Sequence, residues 1–195
     1  MEDNMIDEVR RLYEDGNWRT IVRTYREHPG RNRLLWVYPT EENFVFIKKY
    51  MDESKCANIL SIGCGCGLLE WMIIAATGLQ VYGLEVDGAW WQSKYAPPTF
   101  IPLLFTPTKL DEDARRLLQR RDTALLFCYF NNGPAFEQYL KEYLGGIVII
   151  IGPEGKGVHT DPKPFGDMPS DWTLDVHQEV GDTKDFIAIY RRASD

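Results

Sequence analysis

Cysteine and histidine are scarce in this chain, with four of one and three of the other among 195 residues. Cys56, Cys64, Cys66 and Cys128 fall at no paired zinc spacing, and Cys64 and Cys66 alternate with glycines, where steric crowding calls for small residues. They read as reduced thiols that fill space, and no metal site is expected. Positive charge is also short: 22 Lys and Arg face 29 Asp and Glu, a formal net charge of −7, which disfavours non-specific binding along nucleic acid. No apolar run approaches the ~20 residues that span a bilayer, and Met1-Glu2-Asp3-Asn4 lacks the basic and apolar regions of a signal peptide. A soluble, intracellular and most simply cytoplasmic chain without membrane contact is expected. Neither a Ser-His-Asp pattern nor a Gly-Lys-Thr phosphate loop occurs.

What is present is ordinary globular material. Hydrophobic residues at 44% and charged residues at 26% give no indication of disorder, and the length suits one domain with a full core. The stretch from Asn58 to Trp71 organises the rest. A short apolar run, Asn58-Ile59-Leu60-Ser61-Ile62, meets Gly63, Gly65 and Gly67 at alternate positions, and a helical pattern follows from Leu68 to Ala76, closed by Gly78. Strand, tight turn and helix follow from this. Glycines let a backbone approach a ligand where a Cβ would collide, and the helix aims its free N–H groups at the same space, which suits a polar or anionic group of a nucleotide-like molecule. Leu79 to Asp87 reads as a second strand ending in carboxylates. Glu85 lies 20 residues past Gly65, the distance at which α/β nucleotide sites place a ribose-binding acid.

Two cofactor readings compete for such a turn. The dinucleotide fingerprint Gly-x-Gly-x-x-Gly would need glycine where Leu68 stands, which disfavours NAD. Gly63-x-Gly65-x-Gly67, followed by the acid-ended strand Gly83-Leu84-Glu85-Val86-Asp87, instead resembles motif I and the second strand of class I S-adenosylmethionine-dependent methyltransferases. The resemblance covers roughly residues 40–192. It implies a Rossmann-like α/β fold, a seven-stranded, mostly parallel sheet of order 3-2-1-4-5-7-6 with helices on both faces and only strand seven antiparallel. It further implies S-adenosylmethionine held by Ser61, Gly63, Cys64, Gly65, Gly67, Glu85, Val86 and Tyr129. Motif I usually carries an acid where Ser61 stands here, and the family often carries an aspartate after strand three where this chain has Thr106-Pro107-Thr108.

Along the chain, Ile6, Val9, Leu12 and Tyr13, then Trp18, Ile21, Val22 and Tyr25, recur at helical spacing. They predict a helical extension, residues 1–39, before a methyltransferase-like domain, residues 40–195. Arg19, Arg23, Arg26, Arg31 and Arg33 in that extension form either a phosphate-facing patch or a solvated helix face, and the second is favoured. Thr40 is placed to cap a helix reaching about Met51. Tyr38 and Phe44 are either neighbours of the cofactor or core. Gly88 to Tyr95 predicts a short helix whose Trp90 and Trp91 are read as packing rather than an adenine sandwich. Thr99 to Phe105 predicts a third strand, at a sheet edge because of Pro102. Leu110 to Arg121 predicts a helix, Thr123 to Tyr129 a buried strand, Phe136 to Leu144 a helix, and Ile147 to Ile151 a fifth strand. Thr173 to Val180 and Asp185 to Tyr190 predict a closing hairpin. Residues 152–172, rich in Gly, Pro and Asp, show no helix and read as a gate over the site.

The methyl acceptor of the family is handled just after strand four. Asn131 and Asn132 occupy that place and are the candidate catalytic residues, although the Pro-Pro-aromatic sequence of amino-group methylating enzymes is absent. His159 and Asp161, with Glu154, are weaker acid-base candidates in the long loop. The expected function is therefore methyl transfer to an unidentified acceptor, whether small molecule, protein or RNA. The alternative is a catalytically silent methyltransferase-like module that senses the cofactor or binds a protein partner.

Overall fold

The computed structural model of the chain describes residues 2–106, 112–155 and 157–193. The first strands and helices form where hydrophobic periodicity places them. Helices α1 (Glu2–Glu14) and α2 (Trp18–Tyr25) are amphipathic, and α2 buries Trp18, Ile21, Val22 and Tyr25. A single 3-10 turn covers Arg31–Arg33. Helix α3 (Glu41–Glu53) opens with a capping box in which Thr40 accepts from the Asn43 amide and the Asn43 side chain accepts from the Thr40 amide. The spare Asn43 amide nitrogen donates to Gln178 Oε1 at 2.7 Å, tying the start of this helix to the far end of the sheet.

The remaining elements alternate: β1 (Asn58–Ile62), α4 (Leu68–Thr77), β2 (Gln80–Glu85), α5 (Gly88–Trp91), β3 (Leu103–Phe105), α6 (Glu112–Leu118), β4 (Thr123–Cys128), α7 (Gly133–Glu142), β5 (Ile147–Pro153), β6 (Trp172–Glu179) and β7 (Asp185–Arg192). The seven strands form one sheet of order β3-β2-β1-β4-β5-β7-β6. Strands β1 to β5 pair in parallel, and β7 runs antiparallel to both of its neighbours. This is the predicted class I methyltransferase fold. β1 and β4 are buried on both faces, as parallel central strands must be.

Apolar side chains fill both sides of the sheet. Ile59, Leu126, Ile149 and Ile187 face a layer made by α1 to α4, so the N-terminal helices share a core with the sheet. Leu60, Phe127, Val148 and Ile150 face α6 and α7 on the other side. Among the described residues, no helix is long and apolar enough to cross a membrane.

The predicted and observed boundaries differ in instructive places. β3 is an edge strand of three residues rather than seven. Residues 99–101 do not pair with β2, because the Phe100 amide donates to the Cys66 carbonyl at 2.8 Å and Ile101 packs on Gly67, so this segment buttresses the glycine turn. The short helix after β2 ends at Trp91. α7 begins three residues earlier than predicted, since Asn132 accepts from the Ala135 amide and Pro134 is tolerated in the first turn. The predicted start of α6 at Leu110, and Pro107 and Thr108 before it, lie outside the described residues.

The stretch between β5 and β6 makes the crossover that a helix would otherwise make. Because β6 is parallel to β5, the chain must return from the carboxyl edge of the sheet to its amino edge, and it does so in irregular conformation beside α7. Tyr190 donates to the Pro164 carbonyl at 2.7 Å, and the backbone of Asp161 exchanges hydrogen bonds with Phe130 and Asn132. Asp161 and Pro164 thus tie this stretch to the post-β4 segment and to β7. Glu154, Gly155, Gly157, Val158 and His159 remain exposed at the carboxyl edge.

Candidate functional site

The sheet's strand order reverses at β1, whose neighbours are β2 on one side and β4 on the other. Ligands of open α/β sheets bind outside the carboxyl end of the strands at such a point. The glycine turn occupies it. Gly63, Gly65 and Gly67 all have positive φ, at 67°, 62° and 78°. A Cβ on Gly67 would collide with the Ile101 side chain, and one on Gly63 would press on the Phe130 ring at 3.0 Å. At Gly65 it would meet nothing within 4 Å, so the space above this residue is open. Gly67 caps the amino end of α4 without a side-chain hydrogen bond, leaving its first amides available.

Glu85, at the end of β2, reaches across to the turn. Its Oε1 accepts from the Gly65 amide at 2.7 Å, and its Oε2 from its own neighbour Val86 at 3.4 Å. Glu85 is partly exposed and Val86 exposed. The structure therefore brings Glu85 against the middle glycine of the turn. Cys64 is half-buried with Sγ lying where a Cβ on Gly83 would come within 2.5 Å, and Cys66 is buried with its thiol donating to the Leu34 carbonyl at 3.1 Å. Burial pushes both thiols up, Cys66 to about 12, so they are inert fillers at neutral pH.

Ser61 is 1% exposed, and its hydroxyl donates to Glu70 Oε1 at 2.6 Å. Glu70 went unnoticed in the sequence. It is a 1%-exposed carboxylate on the first turn of α4, the only ionisable side chain in the run Leu68-Leu69-Glu70-Trp71-Met72-Ile73-Ile74. That isolated charge was the signal. Its burial pushes the carboxyl from 4.5 up to about 7, against the Ser61 hydrogen bond, which pulls the other way.

Tyr129, just past β4, adopts a left-handed φ of 50°, uncommon for a non-glycine residue. Its amide donates to the Ile151 carbonyl, and its hydroxyl donates to Asp185 Oδ1 at 2.5 Å. Asp185 is 2% exposed and begins β7. Burial first, and the Asp185 carboxylate second, push the Tyr129 hydroxyl well up. Trp36, 51% exposed, stacks on the Tyr129 ring at 5.7 Å and 21°. No local pattern foretold this pair, because Trp36 lies in an irregular segment and its contact is tertiary.

Asn131 and Asn132 are both exposed at the start of α7, and Asn131 bridges to Asp161. The Asn132 carboxamide oxygen is already engaged as the helix cap at 3.1 Å from the Ala135 amide. No hydrogen bond or ion pair joins His159 to Asp161, whose backbone instead serves the post-β4 segment. A cleft of about 550 Å³ opens between α7 and the crossover, reaching from Gly133 to Trp172. Phe44 is core, packed edge-on against Trp18 at 5.2 Å, and Tyr38 is buried with its hydroxyl on the Arg31 carbonyl. Trp91 packs against the core while Trp90 stands 45% exposed, so only one of the pair fits the packing reading. Arg19 and Arg23 both pair with Glu41, consistent with a solvated face rather than a phosphate site. Among the described residues, no group of three or more His, Cys, Asp or Glu stands together as a metal site would require.

The sheet order, with a glycine turn at its switch point, defines a class I methyltransferase fold. No protein-family model matches the chain, and no curated protein matches it by sequence. Among solved structures, that of a mutant of MtNAS aligns with 98% of this chain and 77% of its own at a TM-score of 0.51 and 10% identity. An rRNA methylase from Escherichia coli aligns over 97% and 76% at 0.49 and 11% identity. The magnesium protoporphyrin IX methyltransferase ChlM from Synechocystis, solved with bound SAM, aligns over 90% and 97% at 0.47 and 12% identity. At 10% identity the likeness to the MtNAS mutant concerns the fold alone.

Proposed function

We propose that the chain is a class I S-adenosylmethionine-dependent methyltransferase of unidentified acceptor. The observation that carries this reading is the turn at the switch point: three left-handed glycines, open space above Gly65, and Glu85 within 2.7 Å of the Gly65 amide. In this reading the turn receives the cofactor's backbone-facing groups, Glu85 exchanges its Gly65 contact for ribose hydroxyls, and Val86 and Tyr129 border the adenosyl and methionine ends. The acceptor approaches from the post-β4 side, at Asn131 and Asn132. Residues 1–39 serve as an extension covering the α4 face of the domain spanning 40–195. When bound, the cofactor supplies an electrophilic methyl group; the residues of this chain align the acceptor with it and exclude water.

Calorimetric titration with S-adenosylmethionine, S-adenosylhomocysteine and NAD tests the proposal. Saturable binding of the adenosyl compounds, absence of NAD binding, and a loss of ~1–3 kcal/mol in Glu85→Ala through a missing charge-assisted hydrogen bond are expected. No binding of either adenosyl compound would sink it.

A specific observation favours a second reading, a cofactor-binding module without catalysis. The Asn132 carboxamide oxygen is committed to capping α7, and the adjacent Gly133 is crowded by the Asp161 carboxylate, whose Cγ would lie 2.8 Å from a Cβ there. Radiolabelled methyl transfer into fractionated cell extract separates the two: incorporation that Gly65→Arg abolishes supports the enzyme, and binding without incorporation supports the module.

A further inference from the structure

Glu70 poses a question of charge. A carboxylate removed from water costs several kcal/mol unless hydrogen bonds or an opposite charge compensate it. Its Oε1 has the Ser61 hydroxyl at 2.6 Å, whereas its Oε2 is buried without any hydrogen-bond partner. The ionisable groups that face it from the packed elements are Cys64 and Cys66 of the turn, Glu85 of β2 and Cys128 of β4. All of them are neutral or negative. No lysine or arginine of the described residues is paired with Glu70.

The position of this carboxylate is equally telling. Ser61 lies two residues before Gly63 and Glu70 three residues after Gly67, so the Ser61–Glu70 hydrogen bond joins the two flanks of the glycine turn. The missing positive charge must therefore come from a proton or from whatever occupies the turn. We propose that the unpartnered oxygen of Glu70 receives a positively charged amino group of the ligand bound at the glycine turn, so that binding replaces a proton on Glu70 with an ammonium. This inference rests on the site proposed above. Glu70 acts in it as a binding residue, and Ser61 as the residue that orients it. The proton leaves to solvent as the ammonium N–H takes its place as donor; no covalent bond changes in the ligand.

The test compares two ligands that share the adenosine and differ in the charged group. S-Adenosylhomocysteine carries the amino group, and 5′-methylthioadenosine lacks the amino-acid part. Each is titrated calorimetrically into the full chain in buffers of different ionisation enthalpy, which counts protons released. S-Adenosylhomocysteine should release about half a proton at about pH 7 and bind roughly tenfold tighter at about pH 8 than at about pH 6. 5′-Methylthioadenosine should release none and show no such trend. Glu70→Gln should abolish the release and weaken S-adenosylhomocysteine by roughly ten- to a hundredfold while sparing 5′-methylthioadenosine. If that variant does not fold, the wild-type proton count decides alone. Equal proton release by both ligands, or unchanged S-adenosylhomocysteine affinity in Glu70→Gln, overturns the role of Glu70 and leaves the turn intact as a cofactor site. Failure of both ligands to bind wild type refutes the site and the inference together.

Discussion

Replacing Glu70 by Gln should make the ligand-free protein more tolerant of alkaline pH. Burial lifts the Glu70 carboxyl from 4.5 to about 7. The folded state therefore holds a proton over a range where the unfolded chain has already lost it, and stability falls as pH rises through that range. A shift of this size corresponds to ~3 kcal/mol in full, at about 1.4 kcal/mol per pH unit. Most of it, ~2–3 kcal/mol, is incurred between about pH 5 and pH 8. Gln is neutral throughout and incurs no such loss. It leaves an amide nitrogen where Oε2 now lacks a partner, which costs ~1–3 kcal/mol at every pH. The informative quantity is thus the slope and not the offset. Urea unfolding of both proteins at several pH values should show their stability difference moving in favour of Gln by ~2–3 kcal/mol from about pH 5 to pH 8. Groups common to both proteins cancel. A pH-independent difference would mean that Glu70 titrates normally, and with it the case for an uncompensated buried carboxylate would fall.

The glycine turn makes further predictions. Gly65→Ala should cost only ~1–2 kcal/mol of stability, since the penalty is left-handed strain with no clash, yet should block ligand approach; Gly67→Ala should cost more, ~2–4 kcal/mol, because strain adds to overlap with Ile101. Denaturation of the two variants gives the ranking, and an equal cost would contradict the packing of residues 99–101 on the turn. Tyr129→Phe should lose ~1.5–3 kcal/mol through the hydrogen bond to buried Asp185, measured in the same way. Asn132→Ala should lose about 1 kcal/mol as a missing helix cap. If Asn132 also meets the acceptor, its turnover falls further than stability explains while cofactor affinity is unchanged.

Much of this architecture was legible because it is written locally. β4 and β5 carry long apolar runs, the helix after the turn ends at a glycine in left-handed conformation, and Thr40 stands three residues before the side chain that completes its capping box. The sheet order came with the resemblance once the glycine triplet and Glu85 lay at the right separation. What escaped was set by tertiary contact. The third strand looked seven residues long because Phe100 and Ile101 are apolar, but they are apolar to pack on the turn and not to pair with β2. Glu70 shows in the sequence only as the one charge in an apolar helical run; its partner Ser61 is set by tertiary contact. The Trp36–Tyr129 stack joins residues 93 positions apart, beyond any local pattern. The crossover from β5 to β6 read as a gate because it lacks periodicity; its anchors, Tyr190 to Pro164 and Asp161 to the post-β4 backbone, are again contacts between distant residues.

The most direct test of the central claim is amide NMR of isotopically labelled protein during titration with S-adenosylhomocysteine. The amides of Gly63, Gly65, Leu68, Glu85 and Val86 should shift together and saturate at a single ligand concentration, with Gly65 moving most as Glu85 releases it. Binding that shifts amides elsewhere while these stay fixed would contradict it.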